Sequence, residues 1–327
     1  MFKFSYKYCS HIEYLDILSK AYGVPIINNT IKLPAGVGTG YVKVIELANG
    51  LQLLVNEIVI NENVSFNRLP TVDESFTMRF DEVKNFKTLT VKIDDEELIA
   101  DDHVHSGAFL TNSYTNLTYT ATAGTEDRCV NIFFTAEWLK THVGIGSGDE
   151  AFKEYLSLKT AVFNFEVLNF EYREIMQDIF EIENDQPMQK VILQNRVMLL
   201  IEKFFRSLYS KMGQNKKTTA AINDATIKRM MQIESILVSN LSVAPPAIPL
   251  LARTAMMSET KLKNLFKTVY GAGLYEYYQK NRMLKARQLL RSKKYSVKET
   301  GLALGFKNLS NFTIAYKKEF KVLPSEM

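Results

Sequence analysis

From Gly40 to about Phe134 the chain alternates apolar and polar residues in short runs, which turn-forming pairs such as Asn49-Gly50 separate. A period of two residues at this spacing is typical of antiparallel strands folded into a sandwich or small barrel. We therefore predict a β-rich domain over residues 1–160. Its clearest strands are Tyr41–Leu47, Leu51–Ile60, Ser75–Phe80, Gly107–Thr111 and Val130–Phe134.

The spacing of apolar residues then becomes helical, which predicts helices at Thr135–Val143, Glu150–Leu158, Asn169–Ile182 and Met188–Tyr209. Pro187 precedes the last of these, at a position that the first helical turn tolerates. The apolar residues of this last helix cover more than one face, whereas a helix with one wet side needs a single apolar stripe. We therefore predict a helical dimerisation region over 161–212. The alternative is that the helix packs only inside its own domain.

The segment Gly213–Asn223 is polar and rich in small residues, and it has no strong periodicity. This composition predicts a linker over 213–224 and a domain boundary there. Helix candidates follow one another closely after the linker, which predicts an all-α domain over 225–327. They are Asp224–Asn240, Pro249–Ala255, Ser258–Val269, Leu274–Ser292, Val297–Leu304 and Leu309–Phe320.

Length and cysteine content narrow the class of protein. A chain of 327 residues is long enough for two domains. Because only Cys9 and Cys129 are present, a disulfide scaffold and a Cys-rich metal site are excluded. The first ten residues lack the apolar core of a signal peptide, and no stretch has the ~20 apolar residues that span a membrane. We therefore expect a cytoplasmic protein without a membrane partner.

Charge is distributed unevenly along the chain. From Ala225 onward there are 18 Lys and Arg against 6 Asp and Glu, whereas the first 224 residues hold 22 against 30. A basic end fused to an acidic remainder is typical of a nucleic-acid-binding module attached to another domain. Charge alone also fits an ordinary solvated basic surface.

Two helix pairs in the basic region have the spacing of a helix-turn-helix. In the first pair Leu251-Ala252 precedes the turn at Met256–Ser258, and in the second Thr300-Gly301 precedes Gly305-Phe306. A small residue is needed where the two helices cross closely. The i,i+4 pairs Leu262/Phe266 and Phe312/Tyr316 form the buried stripe of each second helix, which leaves the opposite face free to enter a major groove.

The two units form a quasi-repeat. Ala252 and Gly301 are 49 positions apart, whereas Leu262 and Phe312 are 50 apart, so the second turn carries one extra residue. A single helix-turn-helix pattern arises by chance in many helical proteins. Two in tandem, joined by a helix in a basic segment, are much more specific for DNA binding.

These residues resemble the DNA-binding domain of AraC/XylS-type regulators. The likeness covers roughly residues 225–327. It is carried by Tyr277 or Tyr278, Arg282, Ala286 and Leu289-Leu290 in the linking helix, and by Gly305-Phe306, Phe312, Tyr316 and Pro324 further on. The resemblance implies two helix-turn-helix subdomains joined by a helix, double-stranded DNA as the partner, and no enzymatic activity. Together with the β-rich domain, it predicts an α+β fold class.

Several residues depart from the family pattern. Met256 stands where the first turn often has Gly, Leu274 where Pro is usual, and Lys321 where Gly is usual. Thr300-Gly301 replaces the customary Ile-Ala. We expect this change to weaken the second unit, since Gly costs about 1 kcal/mol relative to Ala inside a helix.

The resemblance and the helix faces together assign DNA contacts. Base contacts are expected at Thr260, Lys263 and Asn264 in the first recognition helix, and phosphate contacts at Lys261 and Lys267. The family's reading positions in the second helix fall on Leu309, Ser310, Asn311, Thr313 and Ile314, and Lys317 and Lys318 are expected to hold phosphates. Arg282, Lys285 and Arg287 of the linking helix either contact DNA or hold the two subdomains together.

A β-domain in front of such a module resembles the cupin-like effector domains of the same family. The run Gly38–Val55 is also similar to siderophore-type regulators. The resemblance implies a small-molecule effector of unknown identity and contact with RNA polymerase, while the doubly apolar helix Met188–Tyr209 predicts a homodimer. A constitutive DNA-binding protein, whose β-domain serves only dimerisation or protein contacts, is the main alternative. A cupin-type enzyme with a regulatory tail is a third possibility.

Two further motifs have the residue types of ligand sites. His103 and His105 form an H-x-H, as metal-binding cupins use, but no acidic residue follows at a suitable spacing. Gly36, Gly38 and Gly40 form a G-x-G-x-G, but a strand-like run follows it, whereas a nucleotide site needs a helix N-terminus. We therefore predict exposed histidines, a turn at the glycines, and neither metal nor cofactor.

Overall fold

The computed structural model describes residues 1–94, 96–101, 105–146, 148–157, 166–182, 187–214 and 224–327. The chain forms two compact units. The N-terminal unit comprises Met1–Val167 and Ile182–Ala221, and the C-terminal unit comprises Leu168–Glu181 and Ile222–Met327. His103 and most of the predicted linker, 215–223, lie outside the described residues.

The strands of the N-terminal unit form two sheets. In chain order they are β1 Phe2–Lys7, β2 Thr30–Lys32, β3 Gly38–Glu46, β4 Gln52–Ile60, β5 Val64–Leu69, β6 Ser75–Lys84, β7 Thr88–Ile93, β8 Glu96–Asp101, β9 His105–Asn112, β10 Leu117–Ala121, β11 Glu126–Thr135 and β12 Glu166–Val167. One sheet has the order β1-β5-β10-β7-β8, and the other has the order β12-β9-β6-β11-β4-β3-β2. Pairing is antiparallel except between β1 and β5. The predicted antiparallel β-domain is confirmed.

Helices in chain order are α1 His11–Tyr22, α2 Ala136–Val143, α3 Glu150–Ser157, α4 Phe170–Glu181, α5 Gln189–Gln214, α6 Asp224–Val238, α7 Ile248–Thr254, α8 Glu259–Tyr270, α9 Leu274–Arg291, α10 Val297–Ala303 and α11 Leu309–Phe320. A short 3₁₀ turn at Pro324–Glu326 follows α11. Strands and then helices, with a separate helical unit at the C-terminal end, give the α+β class that the pattern predicts.

Several polar residues of the larger sheet face inward, not toward solvent. In β6, Phe76 and Phe80 alternate with Thr77 and Arg79, and all four are buried or largely buried. The Phe76 ring packs against Phe152 of α3, 5.4 Å between centroids, whereas Thr77 and Arg79 line a cavity on the other side of the sheet. Because helices cover one face of the sheet and the cavity lies on the other, both faces of β6 are buried.

The long helix α5 packs inside its own unit. Leu193, Val197, Leu200 and Ile201 are buried, and Phe205 packs on Phe152 with 5.9 Å between ring centroids. This packing accounts for the doubly apolar pattern that suggested dimerisation. The homodimer therefore remains a prediction, and the apolar faces of α5 no longer support it.

The helix α4 belongs to the C-terminal unit, although it precedes α5 in the chain. The predicted helical region 161–212 is therefore divided between the two units. Arg173 of α4 and Glu234 of α6 form an ion pair with 2.9 Å between Nη2 and Oε1, and both side chains are almost fully buried. Arg287 of α9 pairs with Asp178 of α4, 3.0 Å between Nη2 and Oδ1. These charges fix α4 to the helices of the C-terminal unit.

Candidate DNA-binding surface

The first helix-turn-helix is formed by α7 and α8. The hydroxyl of Ser258 accepts a hydrogen bond from the Lys261 N–H, 3.3 Å, and so caps the N-terminus of α8. Leu262, Phe266 and Tyr270 recur on one face of α8 and are buried. The buried stripe holds α8 on its subdomain and turns the opposite face to solvent.

The second helix-turn-helix is formed by α10 and α11. Ser296 and Glu299 form a capping box at the start of α10, with 2.8 Å between the Ser296 N–H and Glu299 Oε2. Asn308 caps α11, because its Oδ1 accepts a hydrogen bond from the Ser310 N–H at 2.8 Å. Phe312 and Tyr316 are fully buried. Each helix of this pair therefore has a specific start, and α11 has the same buried stripe as α8.

Each of the two turns contains a backbone hydrogen bond at the equivalent position. The Met257 N–H donates to the Ala252 carbonyl at 3.0 Å, and the Phe306 N–H donates to the Gly301 carbonyl at 2.9 Å. The residue before each donor has a left-handed backbone, with φ of 54° at Met256 and 72° at Gly305. All three pairs of equivalent positions are 49 apart, so the extra residue of the second unit lies after Phe306 and before the cap of α11.

Close packing explains the glycines of the second turn. A Cβ on Gly305 would lie 1.8 Å from the backbone oxygen of Ser242, so no larger residue fits. A Cβ on Gly301 would lie 2.9 Å from Leu309 Cδ2. An alanine at position 301 would require Leu309 to move. The glycine that is expected to destabilise α10 therefore also allows α10 and α11 to cross closely.

Two departures from the family pattern adopt the backbone that glycine would provide. Met256 and Lys321 have φ of 54° and 63°, in the left-handed region. This conformation costs a residue with a side chain about 1–2 kcal/mol. The Met256 side chain is 81% exposed, so its packing does not offset that conformational cost.

The predicted contact residues of α8 lie on one exposed face. Thr260, Lys261, Lys263, Asn264 and Lys267 are all exposed. Glu259 pairs with Lys263 at 3.7 Å between Oε2 and Nζ, in a solvent-exposed contact that leaves the lysine free to rearrange. The face combines hydrogen-bonding and cationic groups, which is the chemistry that reads base edges and holds phosphates.

The predicted residues of α11 are placed less uniformly. Ser310, Asn311, Lys317 and Lys318 are exposed, and Ile314 is 66% exposed. Thr313 and Leu309 are half-buried, and Leu309 packs beside Gly301. The exposed face of α11 is therefore narrower and more apolar than that of α8.

The linking helix α9 joins the two subdomains. The Arg282 Nε donates to the Leu304 carbonyl at 2.8 Å, and its guanidinium lies 3.8 Å from the centre of the Phe306 ring. Arg287 is buried and packs over the Phe320 ring at 4.8 Å. Lys285 is exposed. Arg282 and Arg287 therefore hold helices of this unit together.

Two basic residues beside the turns were not singled out from the sequence. Arg253 lies in the last turn of α7 and Lys307 lies between Phe306 and the cap of α11, and both are exposed. Their charge was the available signal, but the sequence does not show which lysines and arginines stand near a recognition helix.

The described part of the chain shows neither a membrane-spanning helix nor a metal-binding cluster. None of its helices is long and apolar enough to span a bilayer. Within the same residues, no three His, Cys, Asp or Glu side chains are grouped so as to hold a metal ion.

Comparison with known proteins places the C-terminal region in a family. Residues 251–327 match the family model described as a helix-turn-helix domain. The chain is 37% identical over 75 residues to the virulence regulon transcriptional activator VirF of Yersinia enterocolitica and to the thermoregulatory protein LcrF of Yersinia pestis. The match covers 23% of this chain and 28% of each relative.

Solved structures give similar matches. An AraC-type regulator from Chromobacterium violaceum is 29% identical with a TM-score of 0.29, over 32% of this chain and 92% of that one. The DNA-binding domain of AdpA in complex with target DNA is 20% identical with a TM-score of 0.28, over 30% and 87%. ToxT of Vibrio cholerae, solved with a bound unsaturated fatty acid, is 14% identical with a TM-score of 0.30, over 86% and 96%.

The C-terminal unit carries a tandem helix-turn-helix of the kind that reads DNA. Residues 251–327 form an AraC-type DNA-binding domain, which confirms the resemblance seen in the sequence.

Proposed function

We propose that this protein is a sequence-specific, DNA-binding transcription regulator that responds to a small molecule held in its N-terminal β-domain. The observation that carries the DNA-binding part is the repeated turn. The bonds from Met257 to Ala252 and from Phe306 to Gly301 fix two recognition helices, each with one buried and one exposed face. The basic charge of residues 225–327 supports the same conclusion.

Each recognition helix enters a major groove in this proposal, and the two grooves are about 34 Å apart on one face of the duplex. In α8, Asn264 reads adenine, Lys263 reads guanine acceptors and Thr260 contacts a base edge, while Lys261 and Lys267 bind phosphates. In α11, Ser310, Asn311 and Thr313 reach base edges, Leu309 offers apolar contact to a thymine methyl, and Lys317 and Lys318 bind phosphates. Arg253 and Lys307 add phosphate contacts beside the turns.

The experiment is selection of duplexes from a random library by the full-length protein, followed by fluorescence anisotropy on the selected duplex. We expect Asn264→Ala to weaken binding to the selected sequence and to relax its specificity. Lys20→Ala is the matched control, because Lys20 is an exposed lysine of α1 in the N-terminal unit. Failure to enrich any sequence, with the protein folded, contradicts the proposal.

The sensing part is supported by a cavity inside the β-domain, between the two sheets and α1. The alternative is a constitutive regulator whose β-domain serves only dimerisation or protein contacts. A shift in melting temperature and in affinity for the selected duplex on adding a small molecule supports the sensor. DNA binding that no small molecule changes supports the constitutive protein.

The proposal includes a homodimer, contact with RNA polymerase and action in the cytoplasm. The Yersinia relative is a transcriptional activator, and we propose that this protein also activates transcription. Sedimentation with and without the selected duplex tests the homodimer. A reporter gene behind that duplex tests activation, which falling expression would contradict.

A further inference from the structure

The β-domain contains a cavity of about 110 Å³. It lies between the two sheets, and α1 closes one side with residues such as His11 and Leu18. Strands β4, β11 and β6 are neighbours in the larger sheet, and they contribute Asn56, Asp127 and Arg79 to the lining. Arg68 of β5, Tyr119 of β10 and His11 of α1 add further polar groups, so the cavity wall is polar on both sheets and on α1, with apolar residues between.

Several polar atoms on this wall have no hydrogen-bond partner in the described protein. They are His11 Nε2, Asn131 Oδ1, Asp127 Oδ1, Tyr119 OH and Arg68 Nε. His11, Asn131, Asp127 and Arg68 are each more than nine-tenths buried. Buried polar groups in folded proteins are almost always paired, so a cluster of unpaired ones around a cavity marks a place for a polar ligand.

The unpaired atoms are mainly acceptors. Burial and the nearby Arg79 lower the pKa of His11 to about 3, so the imidazole is neutral, and its backbone bond to Asn131 leaves Nε2 as an acceptor. The amide nitrogen of Asn131 donates to Cys129 Sγ at 3.4 Å, which leaves Oδ1 as an acceptor. The unpaired oxygen of Asp127 accepts when the carboxyl is ionised and can donate when it is protonated, because burial and Asp81 raise its pKa to about 7. A matching ligand must therefore bring groups that donate and can also accept, as hydroxyls do.

The two arginines on the wall already bind protein groups, although Arg68 Nε remains unpaired. Arg79 binds Asp81 with 3.1 Å between Nε and Oδ2. Arg68 donates to the hydroxyl of Thr111 at 2.9 Å and to the carbonyls of Asn112 and Thr115. Neither guanidinium therefore presents its planar fork to an anion, and both disfavour a cation nearby.

We propose that the cavity binds a small neutral polyol of three or four carbons, with hydroxyls donating to His11, Asn131 and Asp127. Apolar residues of the lining, such as Leu18, Val42 and Leu54, face the carbon atoms. The cavity volume of about 110 Å³ suits a ligand of this size, since a cavity of about 150 Å³ holds benzene. This inference rests on the proposed function, because the polyol would be the effector of the regulator.

The test is isothermal titration calorimetry on the full-length protein. The probes are glycerol and erythritol, with butyrate as a matched anion and 1,4-diaminobutane as a matched cation. We expect heat of binding for a polyol and none for the charged probes. A folded protein that binds neither polyol overturns the proposal and indicates a cavity that holds ordered water only.

Variants separate binding at the cavity from binding elsewhere. Asn131→Leu is close in shape and removes one acceptor, and we expect it to weaken polyol binding about tenfold, the loss of one hydrogen bond to a buried group. It should melt no lower than the parent without ligand, because it no longer buries an unpaired oxygen. Ser106→Ala is the matched control, since Ser106 Oγ is also buried and unpaired but does not line the cavity.

Polyol affinity that Asn131→Leu leaves unchanged overturns the site. If Asn131→Leu does not fold, His11→Phe removes the unpaired Nε2 acceptor and takes its place in the comparison. Binding of butyrate or diaminobutane in place of the polyol overturns the ligand class and leaves a sensor in place. If the protein binds the selected duplex but none of the probes, the polyol proposal fails while the DNA-binding proposal stands.

Discussion

Arg173 Nη2 and Glu234 Oε1 lie 2.9 Å apart in a buried pair that joins α4 to α6. The hydroxyl of Tyr277, in α9, donates to the same carboxylate oxygen at 2.9 Å and lies 3.2 Å from Arg173 Nε. Three helices therefore meet at one charged cluster. One of them, α4, comes from a part of the chain far from the helix-turn-helix units.

Removing Arg173 leaves the Glu234 carboxylate buried without its cation. We expect Arg173→Met to destabilise the C-terminal unit by about 3–5 kcal/mol, whereas Arg173→Met with Glu234→Leu costs much less, because no charge remains buried. The measurement is urea unfolding of the full-length protein. The single tryptophan, Trp138, belongs to the N-terminal unit. Loss of helical circular dichroism at lower urea, with Trp138 fluorescence unchanged, is the expected result.

The control for this pair is an exposed one. Lys20 and Asp16 are 3.9 Å apart on the surface of α1. Lys20→Ala should change the unfolding free energy by less than about 1 kcal/mol. An effect of Arg173→Met no larger than that would show that the buried pair does not hold α4 in place.

At Gly305 the addition of a single Cβ atom is expected to destabilise the C-terminal unit. Gly305→Ala places a Cβ 1.8 Å from the Ser242 oxygen, at a φ of 72°. The backbone conformation alone costs about 1–2 kcal/mol, and relief of the overlap must move the α10–α11 turn. We expect loss of affinity for the selected duplex and earlier urea unfolding of the C-terminal unit. Met256→Gly, at the equivalent turn position, should instead raise stability, since Met256 already has a left-handed φ.

The Asp127 carboxyl gives the β-domain a defined pH response. Burial and the neighbouring Asp81 carboxylate raise the pKa of Asp127 to about 7, above its usual value of 3.8. The folded state therefore holds a proton that the unfolded state has lost between about pH 4 and 7, so stability falls as pH rises through this range. Asp127→Asn removes the effect. Its advantage in unfolding free energy over the parent should grow between about pH 4 and 7, by at most about 1.4 kcal/mol per pH unit, and level off above that range.

The comparison with Asp127→Asn is needed because His11 acts in the opposite direction. The pKa of His11 is lowered to about 3, so the unfolded state binds the extra proton below about pH 6.5 and stability rises with pH there. Parent and variant share this trend, and it cancels in their difference. An advantage of Asp127→Asn that does not vary with pH would contradict the assignment to Asp127.

In the proposed complex, the exposed face of α8 divides into groups that read bases and groups that hold phosphates. Asn264→Ala should cost about 1–3 kcal/mol on the selected duplex and little on a random one. Lys267→Ala should weaken both and lower the slope of log affinity against log salt by about one. Anisotropy titrations at several salt concentrations separate the two. Equal losses on both duplexes for Asn264→Ala would show that this residue does not read sequence.

Much of the fold follows from local pattern in the sequence. The clearest predicted strands fall within β3, β4, β6, β9 and β11 or shift by a residue at one end, and the predicted C-terminal helices agree closely with α6 to α11. The N-terminal elements were missed although signals were present. Phe2–Lys7 alternates with a period of two, and Ser10 and Glu13 form the capping box of α1.

Other features depend on contacts that no local pattern contains. The alternation of β6 and β11 shows two faces, but it does not show that the polar face, with Arg79, Asp127 and Asn131, lines a cavity. The apolar faces of α5 suggested a second protomer because its partners in α3 are distant in sequence. The place of α4 in the C-terminal unit depends on Arg173 meeting Glu234, 61 positions away.

In the proposed complex two recognition helices read one duplex, and chemical footprinting of the full-length protein on its selected duplex decides whether they do. We expect protection of two successive major grooves on one face, about 34 Å apart. Asn264→Ala should remove protection of one groove, and Asn311→Ala should weaken protection of the other. A protected region shorter than one helical turn per protomer, or protection that neither variant changes, would contradict the account.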